Sequence, residues 1–185
     1  MTGIEAIVIE RYLDLAPSPA LVAGLDAVFF AASSLKSFAS EAARAQFRHR
    51  WFGRYLDHDP DFAYIAMTPG GDVAGYLVGA LDDPALAARF SDIPYFADFK
   101  HLTAKFPAHL HVNLAASARG FGVGTALVQR FIEDARRAGA PGVHVVTSQG
   151  ARNVGFYVRN GLAQAGVAGE PPAARVFLAQ RLAAL

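Results

Sequence analysis

Three alternate glycines, Gly120, Gly122 and Gly124, stand between a stretch with strand character and a stretch with helix character. Before them, His109-Leu-His-Val-Asn-Leu114 alternates polar and apolar residues with period two. After them, Thr125–Ala138 reads as a helix whose face carries Val123, Leu127 and Phe131. Val143–Thr147 reads as the next strand and Ala151–Gly161 as a second helix. A strand that enters a glycine turn and leaves it as a helix restricts the fold to an α/β arrangement. It also predicts an anion site, because bare backbone N–H groups and the positive end of the helix point at one place.

Spacing narrows the kind of phosphate. A dinucleotide loop needs G-x-G-x-x-G, but counting from Gly122 the third position is Leu127, and from Gly120 it is Thr125. The following strand ends in Thr147 and Ser148, with no acidic residue for a ribose hydroxyl. A P-loop needs a lysine after its last glycine, and no lysine follows Lys105. What fits is R-x-x-G-x-G, filled by Arg119, Gly122 and Gly124. This resembles the pyrophosphate loop of the GNAT superfamily of N-acetyltransferases, which bind acetyl-coenzyme A there. Asn153-x-x-Phe156-Tyr157-x-x-x-Gly161 resembles the second coenzyme-A element of the same family.

The composition agrees with an ordinary enzyme-sized domain. At 185 residues, 53% of them hydrophobic, the chain suits one domain (1–185) with enough apolar surface for a core. The longest apolar stretch, Ala20–Ala32, is interrupted by Asp26 and too short for a membrane span. No secretory signal and no membrane partner are expected. There is no cysteine, which excludes thiolate catalysis and cysteine-based zinc sites and suits a cytoplasmic protein, and arginine outnumbers lysine 14 to 3, which suits a GC-rich bacterial genome. With a net charge of +1, and Arg44, Arg48, Arg50 and Arg54 reading as a solvated helix face, no nucleic-acid partner is expected. No histidine spacing suggests a metal.

Along the chain, Ile4–Glu10 reads as a strand and Pro19–Ala32 as a helix. Ser40 is a predicted N-cap of a helix running to Leu56, with Phe47, Trp51 and Tyr55 on one face. Phe62–Met67 and Val73–Leu81 form a predicted hairpin around Pro69-Gly70-Gly71-Asp72. Residues 84–107 read as an irregular, partly helical insertion. Leu162–Val167 and Arg175–Gln180 read as closing strands. The expected fold is a mixed, mostly antiparallel central sheet with helices on both faces. The family resemblance implies that it splays between its two central strands.

His109, His111 and Asn113 share one face of their strand, where three polar side chains call for a water-filled site rather than a core. The string Pro-Ala-His-Leu-His resembles serotonin N-acetyltransferase, and also the acetyltransferase-like domain of O-GlcNAc hydrolases and its bacterial relatives. In the first of these the matching histidines relay a proton from the substrate amine. In the second group an aspartate tends to stand where this chain has Asn113, which shifts the role of base to histidine. A histidine titrating near pH 6.5 suits that task.

The resemblance implies an acetyl-CoA-dependent N-acetyltransferase acting by direct attack in a ternary complex. Acetyl-CoA is the expected co-substrate, with no metal. Backbone near Val112 and Leu114 would hold the pantetheine arm, and Arg119, Gly120, Phe121, Gly122, Val123, Gly124 and Thr125 the pyrophosphate. Asn153 and Phe156 complete the coenzyme set. Tyr157 is the expected acid for the thiolate; His111, helped by His109, is the expected base. Asn113, Trp51 and Tyr95 are expected at the acceptor. Aromatic residues within 30–56 and 82–107, including Phe38, Phe96 and Phe99, suggest a small, partly apolar amine. A monomer or homodimer is expected. The competing class is a non-catalytic coenzyme-A-binding or interaction module, as in pseudo-acetyltransferase domains.

Overall fold

The computed structural model of the chain describes residues 7–183. Strand β1 occupies Val8–Arg11; the start of the predicted strand, Ile4–Ala6, lies outside the described residues. The predicted hairpin forms as β2 (Ala63–Met67) and β3 (Val73–Ala80), with Ile65 opposite Tyr76. The remaining strands are β4 (Ala108–Leu114), β5 (Gly142–Ser148), β6 (Ala163–Ala168) and β7 (Arg175–Arg181). They make one seven-stranded sheet in the order β1-β2-β3-β4-β5-β7-β6. The β4/β5 pair is parallel, with Ala108 opposite Val143 and His109 opposite His144. The pairs β1/β2, β2/β3, β5/β7 and β6/β7 are antiparallel, so the expected mixed, mostly antiparallel sheet is the one observed.

The chain forms two compact units. One comprises the residues up to Gly79 together with His111–Phe131, the other Ala80–Leu110 together with Ile132 onward.

In the first unit, helix α1 is Pro19–Ala32. Ser18 starts it, its hydroxyl accepting the Leu21 N–H at 3.1 Å, and Pro19 sits at the first helical position where no N–H is needed. Leu21, Leu25, Val28 and Phe29 form its buried face. Ser40 caps α2 (Glu41–Arg48) in the same manner, accepting from Ala43 N–H at 3.1 Å. The helix does not run unbroken to Leu56 as predicted. A π-helical turn spans His49–Gly53, and α3 is the short segment Arg54–His58. The Arg54 N–H closes the wide turn onto the His49 carbonyl.

One extra residue in the turn rotates the aromatic stripe. Phe47 packs on Phe29 and Phe38, with ring centroids 5.6 and 5.3 Å away. Trp51 and Tyr55 instead meet His111. Phe52 fills the interior between Phe29 and Tyr76 at 5.8 and 4.6 Å. Strand β3 closes on the end of β4 so tightly that only glycine fits at position 75. A Cβ there would stand 2.4 Å from Leu114 Cδ2 and 2.8 Å from the Asn113 carbonyl oxygen.

In the second unit, residues 84–107 hold two short helices, α4 (Tyr95–Asp98) and α5 (Lys100–Thr103). Their aromatic residues are core. Phe99 and Leu102 pack with Phe177 and Ala179, and Phe106 and Val146 close around them. Phe96 is 3% and Phe99 1% exposed, so these two rings stabilise the unit rather than line an open surface. The segment is anchored by the burial of these rings. The last two helices are α6 (Val123–Arg137), cut by the unit boundary after Phe131, and α7 (Asn153–Arg159).

Candidate active site

The glycine turn belongs to the first unit and leads from β4 into α6. Gly120 and Gly122 both adopt left-handed backbone, with φ of +84° and +82°. A side chain there would cost about 1–2 kcal/mol of strain. A Cβ at either glycine would meet no atom within 4 Å, so the turn presents bare backbone to open space. That is the shape a diphosphate requires, and the residues present fit one. Val123 and Gly124 are buried at the start of α6, whereas Phe121 and Thr125 are exposed. The exposed Arg119 donates from Nη2 to the Leu114 carbonyl at 3.2 Å and braces the turn against the end of β4. Val112 and Leu114 are half-buried on β4.

Two polar side chains of β4 end on tyrosine hydroxyls in this unit. His111 Nε2 lies 3.1 Å from the Tyr55 hydroxyl. The Asn113 side-chain amide donates to the Tyr76 hydroxyl at 2.7 Å. Both tyrosines are fully buried, and burial pushes the Tyr76 hydroxyl pKa up despite the Asn113 hydrogen bond. His111 is also met edge-on by Tyr55 and by the half-buried Trp51, with centroids 5.3 and 5.7 Å away. Burial, and secondarily the Arg54 guanidinium, lower the His111 pKa from 6.5 to about 4. The expectation of a base titrating near 6.5 is therefore corrected: desolvation keeps this imidazole neutral through the physiological range. Tyr55, Tyr76 and Arg54 were not singled out for chemistry in the sequence. The spacing of Trp51 and Tyr55 put them on one helix face, but nothing in it linked that face to His111.

The second unit holds the other candidates. Tyr157 lies on α7 and is 6% exposed, and its hydroxyl makes no hydrogen bond among the described residues. Burial raises its pKa above the ordinary tyrosine range, which keeps the hydroxyl protonated at neutral pH. Phe156 packs beside it with ring centroids 5.1 Å apart. At the start of the helix, Asn153 Oδ1 accepts from the Thr147 hydroxyl at 3.0 Å, fixing α7 to the end of β5.

His109 sits in a different setting from His111. It is 2% exposed, its Nδ1 pairs with the Pro107 carbonyl at 3.2 Å, and its ring is enclosed by Phe90, Phe96 and His144. His144 in turn stacks on Phe177 at 4.4 Å and pairs with the Phe106 carbonyl. Tyr95, expected at the acceptor, is 9% exposed, with the Arg175 guanidinium 4.9 Å over its ring.

The acetyltransferase (GNAT) family matches residues 30–162. The chain belongs to that family. Solved structures agree in fold. The crystal structure of SsHAT is 19% identical with a TM-score of 0.71, and the match covers 96% of this chain and 99% of that one. A GCN5-related N-acetyltransferase from Kribbella flavida is 19% identical with a TM-score of 0.64, covering 96% and 98%. A chain of the NatC complex bound to Gag peptide and CoA is 15% identical with a TM-score of 0.63, covering 96% and 99%. Membership of the GNAT family makes this chain an acyltransferase fold suited to acetyl transfer from acetyl-CoA. No helix among the described residues is long and apolar enough to cross a membrane.

Proposed function

We propose that the protein is an N-acetyltransferase that moves the acetyl group of acetyl-CoA onto the primary amine of a small molecule. The observation that carries this reading is the neutral imidazole of His111, held beside aromatic rings at half-buried depth on the strand that enters the glycine turn. An uncharged imidazole has a lone pair for an amine proton, and it does not repel a cationic acceptor as an imidazolium would. The co-substrate supplies the activated acetyl thioester.

In this reading, the amides of residues 120–125 and the α6 N-terminus hold the pyrophosphate beside Arg119, while backbone near Val112 and Leu114 holds the pantetheine arm. Asn153 and Phe156 border the coenzyme. Trp51 and Asn113 face the acceptor. His111 takes the nitrogen's proton as the C–N bond forms. With a pKa of about 4 it is too weak to strip a free ammonium ion, but strong enough for a nitrogen made acidic by its new bond to carbonyl carbon. The buried Tyr157 hydroxyl donates to the departing sulfur and passes it a proton, which solvent returns to the phenolate as the thiol leaves. His109 holds the base of the strand through its aromatic cage. No covalent enzyme intermediate is required, and the acceptor arrives already deprotonated.

The test is turnover of acetyl-CoA with a panel of small amines, alcohols and peptides, alongside calorimetric binding of acetyl-CoA. Release of free thiol dependent on small amines supports the proposal. Tight coenzyme binding without turnover on any acceptor identifies a binding module instead, and turnover confined to peptides replaces the small-molecule acceptor.

A further inference from the structure

We infer that Tyr55 is a positioning residue that assigns the two nitrogens of His111: its phenol oxygen receives the Nε2–H, so that Nδ1 is the nitrogen that takes the proton. This rests on the reading of His111 as the base.

The contact joins α3 to β4 within one unit, at 3.1 Å between Tyr55 hydroxyl and His111 Nε2. Tyr55 is fully buried, so its hydroxyl has no freedom to turn to water. The imidazole is gripped by two edge-on contacts, from Tyr55 at an interplanar angle of 72° and from Trp51 at 86°. Flipping the ring would keep these two ring contacts but put Cε1 in place of Nε2 and so lose the hydrogen bond to Tyr55. Nδ1, by contrast, makes no hydrogen bond among the described residues, and His111 keeps some exposed surface. It is the nitrogen left to meet an incoming group.

The tautomer follows from the chemistry. Were Tyr55 to donate to Nε2, the neutral ring would carry its proton on Nδ1 and offer an amine only a donor. With Nε2 protonated and donating to the phenol oxygen, Nδ1 keeps a lone pair. One proton then leaves the amine nitrogen and bonds to Nδ1, the ring becomes imidazolium, and no bond to Tyr55 is made or broken. The Nε2–H···O contact becomes charge-assisted as this happens, and so strengthens when the positive charge appears. It also works against the Arg54 guanidinium, which disfavours that charge.

The direct test is nitrogen NMR of the full chain carrying isotope-labelled histidine, with His111 assigned by comparison with His111→Gln. The expected result near neutral pH is a protonated Nε2 and an unprotonated Nδ1. In Tyr55→Phe, which keeps the ring and its packing, the tautomer ratio should shift. Its kcat/KM should fall about ten- to hundredfold, as for loss of a hydrogen bond to a charged group. KM for acetyl-CoA should be unchanged. A wild-type ring protonated on Nδ1, while His111→Gln is inactive, overturns this assignment and leaves the base reading standing. Full activity in His111→Gln overturns the base reading, and the role of Nδ1 falls with it. Wild-type shifts and activity in Tyr55→Phe overturn the part given to Tyr55. Should that variant not fold, the tautomer of the wild-type ring still decides.

Discussion

The side-chain amide of Asn113 donates to the hydroxyl of Tyr76 across 2.7 Å, and Tyr76 lies fully inside the first unit. Asn113 therefore has a structural task whatever else it does: it satisfies a buried phenol on β3 from a position on β4. Asn113→Leu should leave that hydroxyl without its partner and destabilise the protein by about 1–3 kcal/mol. Restoring shape with Tyr76→Phe in the Asn113→Leu background should recover much of the loss. Chemical denaturation of the two variants checks both expectations.

Gly122→Val should weaken acetyl-CoA binding at least tenfold, about 1.4 kcal/mol. Its φ of +82° is one a β-branched residue resists, so the turn must change shape or carry strain. Isothermal calorimetry measures the affinity, and an unchanged value would remove the glycine turn from the coenzyme site.

His111→Ala should lower kcat/KM by about 10²–10⁴, the range for a lost general base. Because the folded pKa is about 4, the deficit should stay constant from neutral to alkaline pH, while both proteins speed up together as free amine accumulates. A deficit that vanishes at high pH would mean that the histidine acts on the free ammonium ion instead.

The same shift has a sign for stability. The unfolded histidine binds a proton near pH 6.5 and the folded one only near 4, so between these values the unfolded chain holds more protons. Stability should therefore fall as the pH drops from 6.5 towards 4, with no further pH dependence from this residue above 6.5. Urea midpoints across that window should fall more steeply for the wild type than for His111→Gln.

Tyr157→Phe should keep coenzyme affinity, since the ring still packs, and lower kcat at every accessible pH. Burial raises the hydroxyl pKa above its ordinary value, so no alkaline limb from this residue should appear in the wild-type profile. Single-turnover kinetics with thiol detection reads the step directly.

Much of this was legible from local signals, and what was not depended on distant neighbours. The limits of α1 follow from Ser18, Pro19 and the apolar spacing, and the Ser40 cap formed as its hydroxyl chemistry dictates. The π-turn was invisible because Phe47, Trp51 and Tyr55 at four-residue intervals look the same whether or not a turn gains a residue. Tyr95, Phe96 and Phe99 announced an aromatic surface, but hydrophobicity alone does not say whether a ring faces a substrate or Phe177. His109 and His111 alternate identically in the sequence. Phe90 and Phe96 enclose one, Tyr55 and Trp51 flank the other, and no local pattern encodes that difference.

The wide turn at His49–Gly53 separates two duties along a single helical run. Before it, Phe47 is committed to the packing of Phe29 and Phe38; Trp51 within it and Tyr55 after it are committed to His111. A regular helix would keep the three residues in one row, so that a change at one would be felt by its neighbours above and below. Here Trp51 is uncoupled from the row that holds the helix in place, and exchanging it reshapes the wall before His111 while the Phe29–Phe47 packing is left intact. Under the proposed reading of Trp51, an exchange there changes the acceptor side of the site without a matching change in the scaffold.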